Sequence, residues 1–462
     1  MAENSFFPLD DETTEIVRRY EDFRLGRASG YFDVDELSNI VDYYLFKGMT
    51  TESAEVLELG NKLHPNSSEL EVKRAKTCFV SGDYRNALNI LDTMANDADY
   101  ETIILRIQLL QQLSRTKEAQ MLASKLFTDE TADDNDDNEL ICMDIANAFI
   151  CQGNTDIGMK WLQKGEQINP ENIDLLLEKA IIYENREEYD RALEIYNRII
   201  EIDAFVAEVW FNLGQMHHYN GDYQQAIEAY NYAAALDEED MLTCLQRAHV
   251  LFQLDRYKEA IELYTEYGEK TGDTWQANIF VAECYEQTEE YEKAIEFFQK
   301  SLEKYPDNYE ALLGIGSCLL EQEKFAESIK YIEHALEIED EEPETWVYFA
   351  EALVGLNKIN YALLAYTKAL ELEPKQPDTL VAMAGLLMEE EEFEQALELY
   401  RAAQQFDPSL HLIDLCIAIC CFYTDNNSSG VEYLRIAIEK DPRAKNFFLE
   451  LCPELEYFLN EI

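Results

Sequence analysis

The sequence predicts an all-α chain, a solenoid of stacked antiparallel helix pairs. Three observations predict it. Small residues recur every 34 residues through most of the chain. Each 34-residue unit holds two stretches of helically spaced apolar residues. A break between the two stretches carries Gly or polar residues. One hydrophobic core rarely serves 462 residues, so such a chain either divides or grows by repetition. Gly (17) and Pro (10) are scarce and no low-complexity linker interrupts the chain, which favours repetition.

The clearest unit starts at Ala207, taken as position 1. It has Trp210 at 4, Leu213 at 7, Gly214 at 8, Tyr223 at 17, Ala226 at 20, Tyr230 at 24 and Ala233 at 27. Position 20 then falls on Gly158, Ala192, Ala226, Ala260, Ala294, Ser328, Ala362, Ala396 and Gly430, always 34 apart. Upstream, Ala54, Ala87 and Ala119 continue the series with steps of 33 and 32, and 39 residues separate Ala119 from Gly158. Twelve repeats result, the Ala207 unit being the sixth. Position 8 is Gly or Ala in ten of them, from Ala75 to Ala418, with Asp42 and Ile107 departing. Small residues at 8 and 20 let the first helix (A) and the second (B) approach closely. Large residues at 4, 7, 11, 17 and 24 fill the space around that contact. At the break, Gly82-Asp83, Gly153-Asn154 and Gly221-Asp222 supply a Gly that ends helix A. Pro170, Pro306, Pro374, Pro408 and Pro442, all at position 32, stop helix B because proline cannot continue the hydrogen-bond ladder.

The chain then reads in order. Residues 1–34 form an N-terminal capping segment, with Ile16, Tyr20 and Phe23 on one helical face. Residues 35–128 hold repeats one to three. Residues 129–138 form an acidic insertion loop, expected to be mobile and to loosen the contact between repeats three and four. The loop lacks the glycine that a calcium-binding loop of this kind needs. Residues 139–444 hold repeats four to twelve. Residues 445–462 form a C-terminal capping helix with Phe447, Phe448, Leu451, Leu455, Phe458 and Leu459. Such a segment either closes the open end of the last repeat, as solenoids require, or docks elsewhere, including on a second copy.

Charge narrows the function. The formal net charge is −57. So acidic a surface repels phosphate backbones and anionic headgroups, so neither nucleic acid nor membrane is an expected partner. It attracts basic polypeptides. The start, MAENSFFPLDDETTEIVRRYE, has no basic region followed by an apolar run, and no apolar stretch reaches the ~18 residues that span a bilayer. A cytoplasmic location is expected. Ten Cys lie scattered in apolar surroundings without a CxxC pair, as reduced cysteines do. No GxSxG, HExxH, phosphate-binding loop or GxGxxG occurs. The expectation is therefore a non-catalytic protein–protein interaction scaffold with no cofactor. A ligand-sensing module and an acidic sequestering protein for basic partners stand as alternatives.

With these positions filled, the array resembles the tetratricopeptide-repeat family, whose signature is Trp-Leu-Gly-Tyr-Ala-Phe-Ala-Pro. Repeat six departs only at His217, Tyr230 and Glu238, and the resemblance covers close to nine-tenths of the chain. It implies a right-handed superhelical solenoid in which the A helices line a concave groove. Positions 2, 5, 9 and 12 face into that groove, with 6 and 13 beside them. In repeats six to eight this implies a partner-binding set of Phe211, Asn212, Gln215, His218, Tyr219, Gln246, His249, Phe252, Phe280 and Glu283. The partner implied is a protein or peptide, basic or apolar in character. Family members that grip a chaperone's C-terminal carboxylates use a Lys/Asn/Arg clamp. No such set occurs in repeats four to twelve, so that ligand is not expected. Glycosyltransferase arrays of this family carry a ladder of Asn at position 6, which here holds only Asn212 in repeats six to eight. His218 and His249 sit on adjacent groove positions, but Cys244 at position 4 faces the core, so no metal site is expected. Farther on, the groove turns apolar, through Leu313, Leu320, Val347, Val354, Val381, Met388, Leu415, Ile419 and Phe422. Those residues form either an open face or a seat for the C-terminal segment.

Overall fold

A computed structural model describes residues 11–94, 100–130 and 138–461. Among the described residues it contains only helices, 26 of them α and one closing 3₁₀ helix, Pro453–Glu461, with no strand. After the first helix, Asp11–Arg24, they follow one another as twelve short A–B pairs. The series begins with Val34–Phe46 and Thr50–Leu63 and ends with Ile413–Tyr423 and Asn427–Lys440, and one more α-helix, Ala444–Leu451, precedes the 3₁₀ helix. The residues group into two compact units, Met1–Met216 and His217–Ile462, and the division falls inside the Ala207–Tyr219 helix.

In the first unit, Tyr20 of the opening helix buries its ring against Phe32 and Tyr44, with centroids 5.8 Å and 6.3 Å away. Helix Val34–Phe46 begins at a capping box. Glu36 N donates to Asp33 Oδ1 at 2.9 Å, and Asp33 N donates back to Glu36 Oε2 at 3.2 Å. In repeat one the register differs from the sequence reading. The buried small residue is Ser53, fully covered, while Ala54 is exposed. Ser53 lies 34 residues before Ala87, so the regular step holds there. Its hydroxyl shares a 2.8 Å hydrogen bond with Thr77, which makes a serine tolerable in the contact. Val41 accordingly takes position 8 in place of Asp42, which forms a half-buried ion pair with Lys73. One buried cluster runs from Val72 to Ile182. It takes in Leu126 before the acidic insertion and Ile141 after it, so repeats three and four share a core. Of the segment read as an insertion loop at 129–138, residues 131–137 lie outside those described.

The close A–B contact is physical, not only a pattern. At Gly158 an added Cβ would sit 2.4 Å from Ile150 Cγ1 and 3.1 Å from the Ala146 carbonyl oxygen. In the second unit Ser328 donates to the Gly316 carbonyl at 2.7 Å, joining position 20 of B to position 8 of A. Position 24 delivers the bulk beside this contact, and Tyr230, Tyr264, Phe298, Tyr366 and Tyr400 are all buried. Helix B ends near position 30, one turn residue before each proline. Examples are Tyr291–Lys304 ahead of Pro306 and Phe393–Phe406 ahead of Pro408.

Each of the twelve A-to-B turns carries one residue of positive φ. It is glycine at Gly48, Gly82, Gly153 and Gly221. It is Ser114, Glu187, Asp255, Glu289, Glu323, Asn357, Glu391 and Asp425 elsewhere. The same pair of hydrogen bonds closes both kinds. Gly82 N donates to the Phe79 carbonyl at 3.0 Å and Asp83 N to that of Cys78 at 2.8 Å. Glu289 N donates to Glu286 and Glu290 N to Tyr285, both at 2.9 Å. The turn geometry is thus imposed by the repeat, whichever residue occupies it.

At the far end, Phe422 stacks on Phe458 of the 3₁₀ helix, with ring centroids 4.1 Å apart, and Tyr423 donates to Glu454. Leu415, Ile419 and Phe422 share a buried cluster with Phe448, Cys452, Leu455 and Phe458. Of the two readings of the apolar stretch, the seat for the C-terminal segment therefore holds at repeat twelve. Leu415 and Ile419 are 1% exposed there.

Candidate functional site

The ten residues expected in the groove fall in both units. Phe211, Asn212 and Gln215 belong to the first, and all three are half-buried. Asn212 hydrogen-bonds the Tyr196 phenol, itself the buried position-24 residue of the preceding pair, so part of its capacity serves the fold.

In the second unit His218, Tyr219, Gln246, His249, Phe252, Phe280 and Glu283 are half-buried, except for Tyr219, which is 66% exposed. The His218 ring lies roughly parallel to that of Tyr219 at 6.3 Å and edge-on to Tyr223 at 5.7 Å. His249 is the centre of a second group. Its Nδ1 makes a 2.8 Å hydrogen bond with the Tyr264 hydroxyl, and its ring meets Phe280 edge-on at 5.1 Å. Tyr264 and Phe280 lie 5.0 Å apart. Burial holds the His249 pKa below the ordinary histidine range and neighbouring His218 lowers it further, so both rings favour the neutral form. Phe252 packs edge-on against Tyr257 of its own repeat at 5.3 Å. Ile279, which its position also assigns to the groove, is only 2% exposed and belongs to the core.

Beside this group the A helices of repeats eight to ten bring carboxylates together. Glu283 is the most perturbed. Burial, followed by Glu310 and Glu286, pushes its carboxyl up to about 7. Burial also raises Glu286. Ser317 Oγ donates to it and the Cys318 thiol lies 3.7 Å away, both favouring its charged form, while Glu321 and Glu344 add to the rise. Glu351 is raised by burial and by Glu321. Tyr348 donates to Glu344 at 2.8 Å. No ion pair to Glu283, Glu286 or Glu351 occurs among the described residues. Lys and Arg are absent from helices Thr274–Gln287, Tyr309–Glu321, Pro343–Gly355, Pro377–Glu389 and Ile413–Tyr423. Carboxylates this deeply placed ordinarily pair with a cation or give up their charge.

Sequence reading singled out Glu283 and missed Glu310, Glu344 and Glu351. Their positions, 2 and 9, were available in the same repeat frame. The apolar neighbours Leu313, Val347 and Val354 masked them. Tyr264 was missed because position 24 reads as core, and it is core, with its hydroxyl bonded to His249.

Models described as tetratricopeptide repeat match residues 173–205, 207–240, 245–309 and 285–346. A human relative, protein O-mannosyl-transferase TMTC1, is 26% identical over 152 residues, covering 31% of this chain and 17% of that protein. The chain thus matches well under two thirds of that relative's length. Among solved structures, the APC/C hetero-tetramer Cut9–Hcn1 is 14% identical with a TM-score of 0.43, covering 89% of this chain and 94% of that one. A tetratricopeptide repeat protein of Parabacteroides merdae ATCC 43184 is 17% identical with a TM-score of 0.46, covering 54% of this chain and 98% of that one. YrrB, described as a TPR protein with an unusual peptide-binding site, is 22% identical with a TM-score of 0.34, covering 41% and 97%.

Proposed function

We propose that this chain, which belongs to the tetratricopeptide-repeat family, is a non-catalytic scaffold that holds a basic polypeptide segment along the A helices of repeats seven to ten. The fold generally serves protein interaction. One observation carries the finer reading: half-buried carboxylates cluster on A helices that carry no Lys or Arg of their own. A Lys or Arg from a partner would supply the missing counter-charge. The rings of His249, Phe280 and Phe252 offer apolar and stacking contacts beside it. The transferase activity in the name of the human relative belongs to a protein of which this chain matches 17%, and it is not carried over.

The test is fluorescence anisotropy with a labelled Lys-Arg-Phe-Lys-Arg peptide at roughly physiological salt. Replacing Glu283, Glu286 and Glu351 together with Gln should weaken binding at least about tenfold, some 1.4 kcal/mol. Wild-type affinity should also rise from about pH 6 to pH 8, since binding a cation favours the ionised Glu283 whose free pKa is about 7. Equal binding by wild type and the triple variant would refute the groove assignment. It would leave the acidic surface as a whole, a sequestering protein for basic partners, as the better reading.

A further inference from the structure

The nine repeats in strict register, four to twelve, are internal controls for one another, because solvent makes the same demand at the same position in each. Position 22, on helix B, is Lys160, Glu194, Glu228, Glu262, Glu296, Lys330, Glu398 and Glu432 in eight of them, and Leu364 in repeat ten. Position 19 is Arg191, Gln225, Glu259, Lys293, Glu327, Gln395 and Ser429 in seven of them, Ile157 in repeat four, where it is half-buried against the core, and Tyr361 in repeat ten. The exchange is not absorbed by packing. Tyr361 is 66% exposed and Leu364 67%. Together with Trp346 and Phe349 of helix A they line a cleft of about 670 Å³.

The floor of this cleft is fixed. The Trp346 indole donates to the Asp340 carbonyl at 2.8 Å, and its ring meets Phe349 edge-on at 6.1 Å. Charge at the rim runs against the chain as a whole. Lys358 and Lys368 line the cleft against a single acidic residue, Glu333, in a protein of net charge −57. Among the described residues, the one ion pair of Lys368 is a long 3.8 Å contact to Glu371, at the surface. These positions (4, 7, 16, 19, 22 and 26) are not those of the A-helix carboxylates, so the surface is separate from the one described above.

We propose that this cleft is a second docking site, for an acidic polypeptide segment that presents a bulky apolar side chain between carboxylates. The apolar side chain enters against Trp346, Phe349 and Leu364, and the flanking carboxylates meet Lys358 and Lys368. An open-walled cleft suits a side chain carried on a backbone better than a free small molecule, whose sites enclose most of its surface. A large exposed apolar patch rimmed by charge is the usual mark of such docking.

The test uses the full chain and three labelled peptides: Asp-Glu-Phe-Leu-Asp-Glu, Asp-Glu-Gly-Ser-Asp-Glu and Lys-Arg-Phe-Lys-Arg. The first should bind saturably, and the second at least about tenfold more weakly. Leu364→Glu, and Lys358→Glu with Lys368→Glu, should each abolish the first interaction while leaving the basic peptide's affinity unchanged. Glu283→Gln should leave the acidic peptide's affinity unchanged. Both altered sites are exposed, so helix content and melting should match wild type, and circular dichroism checks this. The proposal is overturned if the acidic peptide binds the variants as well as wild type, or if both acidic peptides bind alike. It is also overturned if no peptide binds while Leu364→Glu abolishes concentration-dependent self-association in sedimentation, which would assign the cleft to a second copy.

Discussion

The left-handed glutamates make the sharpest test of how the repeat overrides its residues. Glu289, Glu323 and Glu391 hold φ of +59°, +57° and +61° in equivalent turns of the second unit. A side chain with a Cβ costs about 1–2 kcal/mol in that conformation. Glycine avoids this cost but loses roughly 0.5–1 kcal/mol more backbone freedom on folding. The difference predicts a gain of about 0.5–1 kcal/mol for each Glu→Gly change. The three turns belong to separate pairs, so the triple variant should gain roughly 1.5–3 kcal/mol. Removing three negative charges from so acidic a chain would itself stabilise it, so the matched control is Glu→Gln at the same sites. The reverse control is Gly221→Ala. There φ is +77° and no atom lies within 4 Å of the added Cβ, so only the backbone responds, and it should lose about 1 kcal/mol. Urea titrations followed by circular dichroism at fixed salt read all of these. If the glycine variants are no more stable than their glutamine controls, the turns do not carry the strain assigned to them.

Three further outcomes follow from the packing and the charges. Gly158→Ala forces a methyl against Ile150 and should cost about 1–3 kcal/mol, with Ile150→Ala in the same chain recovering part of it, as urea midpoints will report. Glu283→Gln should stabilise the fold by roughly 1–3 kcal/mol above about pH 7. The folded pKa of Glu283 lies above its ordinary 4.5, so its penalty is absent below that value and complete only above about 7; melts across this range must show the gain vanish at the acid end. Phe458→Ala removes the ring stacked on Phe422 and should cost about 2–4 kcal/mol, with faster hydrogen exchange confined at first to the last repeat.

The helical repeat was legible because it rests on local periodicity, which one sequence carries twelve times over. Where the reading slipped, the deciding contact lay elsewhere in the chain. Ala54 looked the better small residue, yet Ser53 holds the contact because Thr77, in the next pair, answers its hydroxyl. The turns announced themselves only where glycine stood. At Glu187 or Glu391 nothing in the residue itself signals a left-handed backbone, because the two flanking helices set it. The candidate face was partly legible. His249, Phe280 and Glu283 could be placed by repeat position, but the pKa of Glu283 depends on Glu310 from the following helix, and Glu310 looks ordinary by itself. The apolar face of repeat twelve read equally as open or covered until the Phe422–Phe458 stack decided it.

Acidic residues break local rules in two places in this chain, and the two differ in distribution. Left-handed residues with a side chain recur in eight of the twelve A-to-B turns, six of them Glu or Asp, spread over both units. A cost repeated wherever the fold repeats is a cost of the fold, offset by the core that each pair builds with its neighbours. The half-buried carboxylates are spread differently: burial also raises Glu178 and Glu184 on the A helix of repeat five, but that helix carries Lys179, whereas the larger group has no cation on its helices. Glu283, Glu286 and Glu351, with Glu310, Glu321 and Glu344 acting on them, come from three successive A helices without a cation among them. The same positions in repeat seven carry Leu242, His249 and Phe252 instead. Nothing in the helix-pair architecture requires a carboxylate there, since Leu, His and Phe fill those positions next door. Strain that is local, chemically uniform and unnecessary to the fold is the kind that a binding partner relieves.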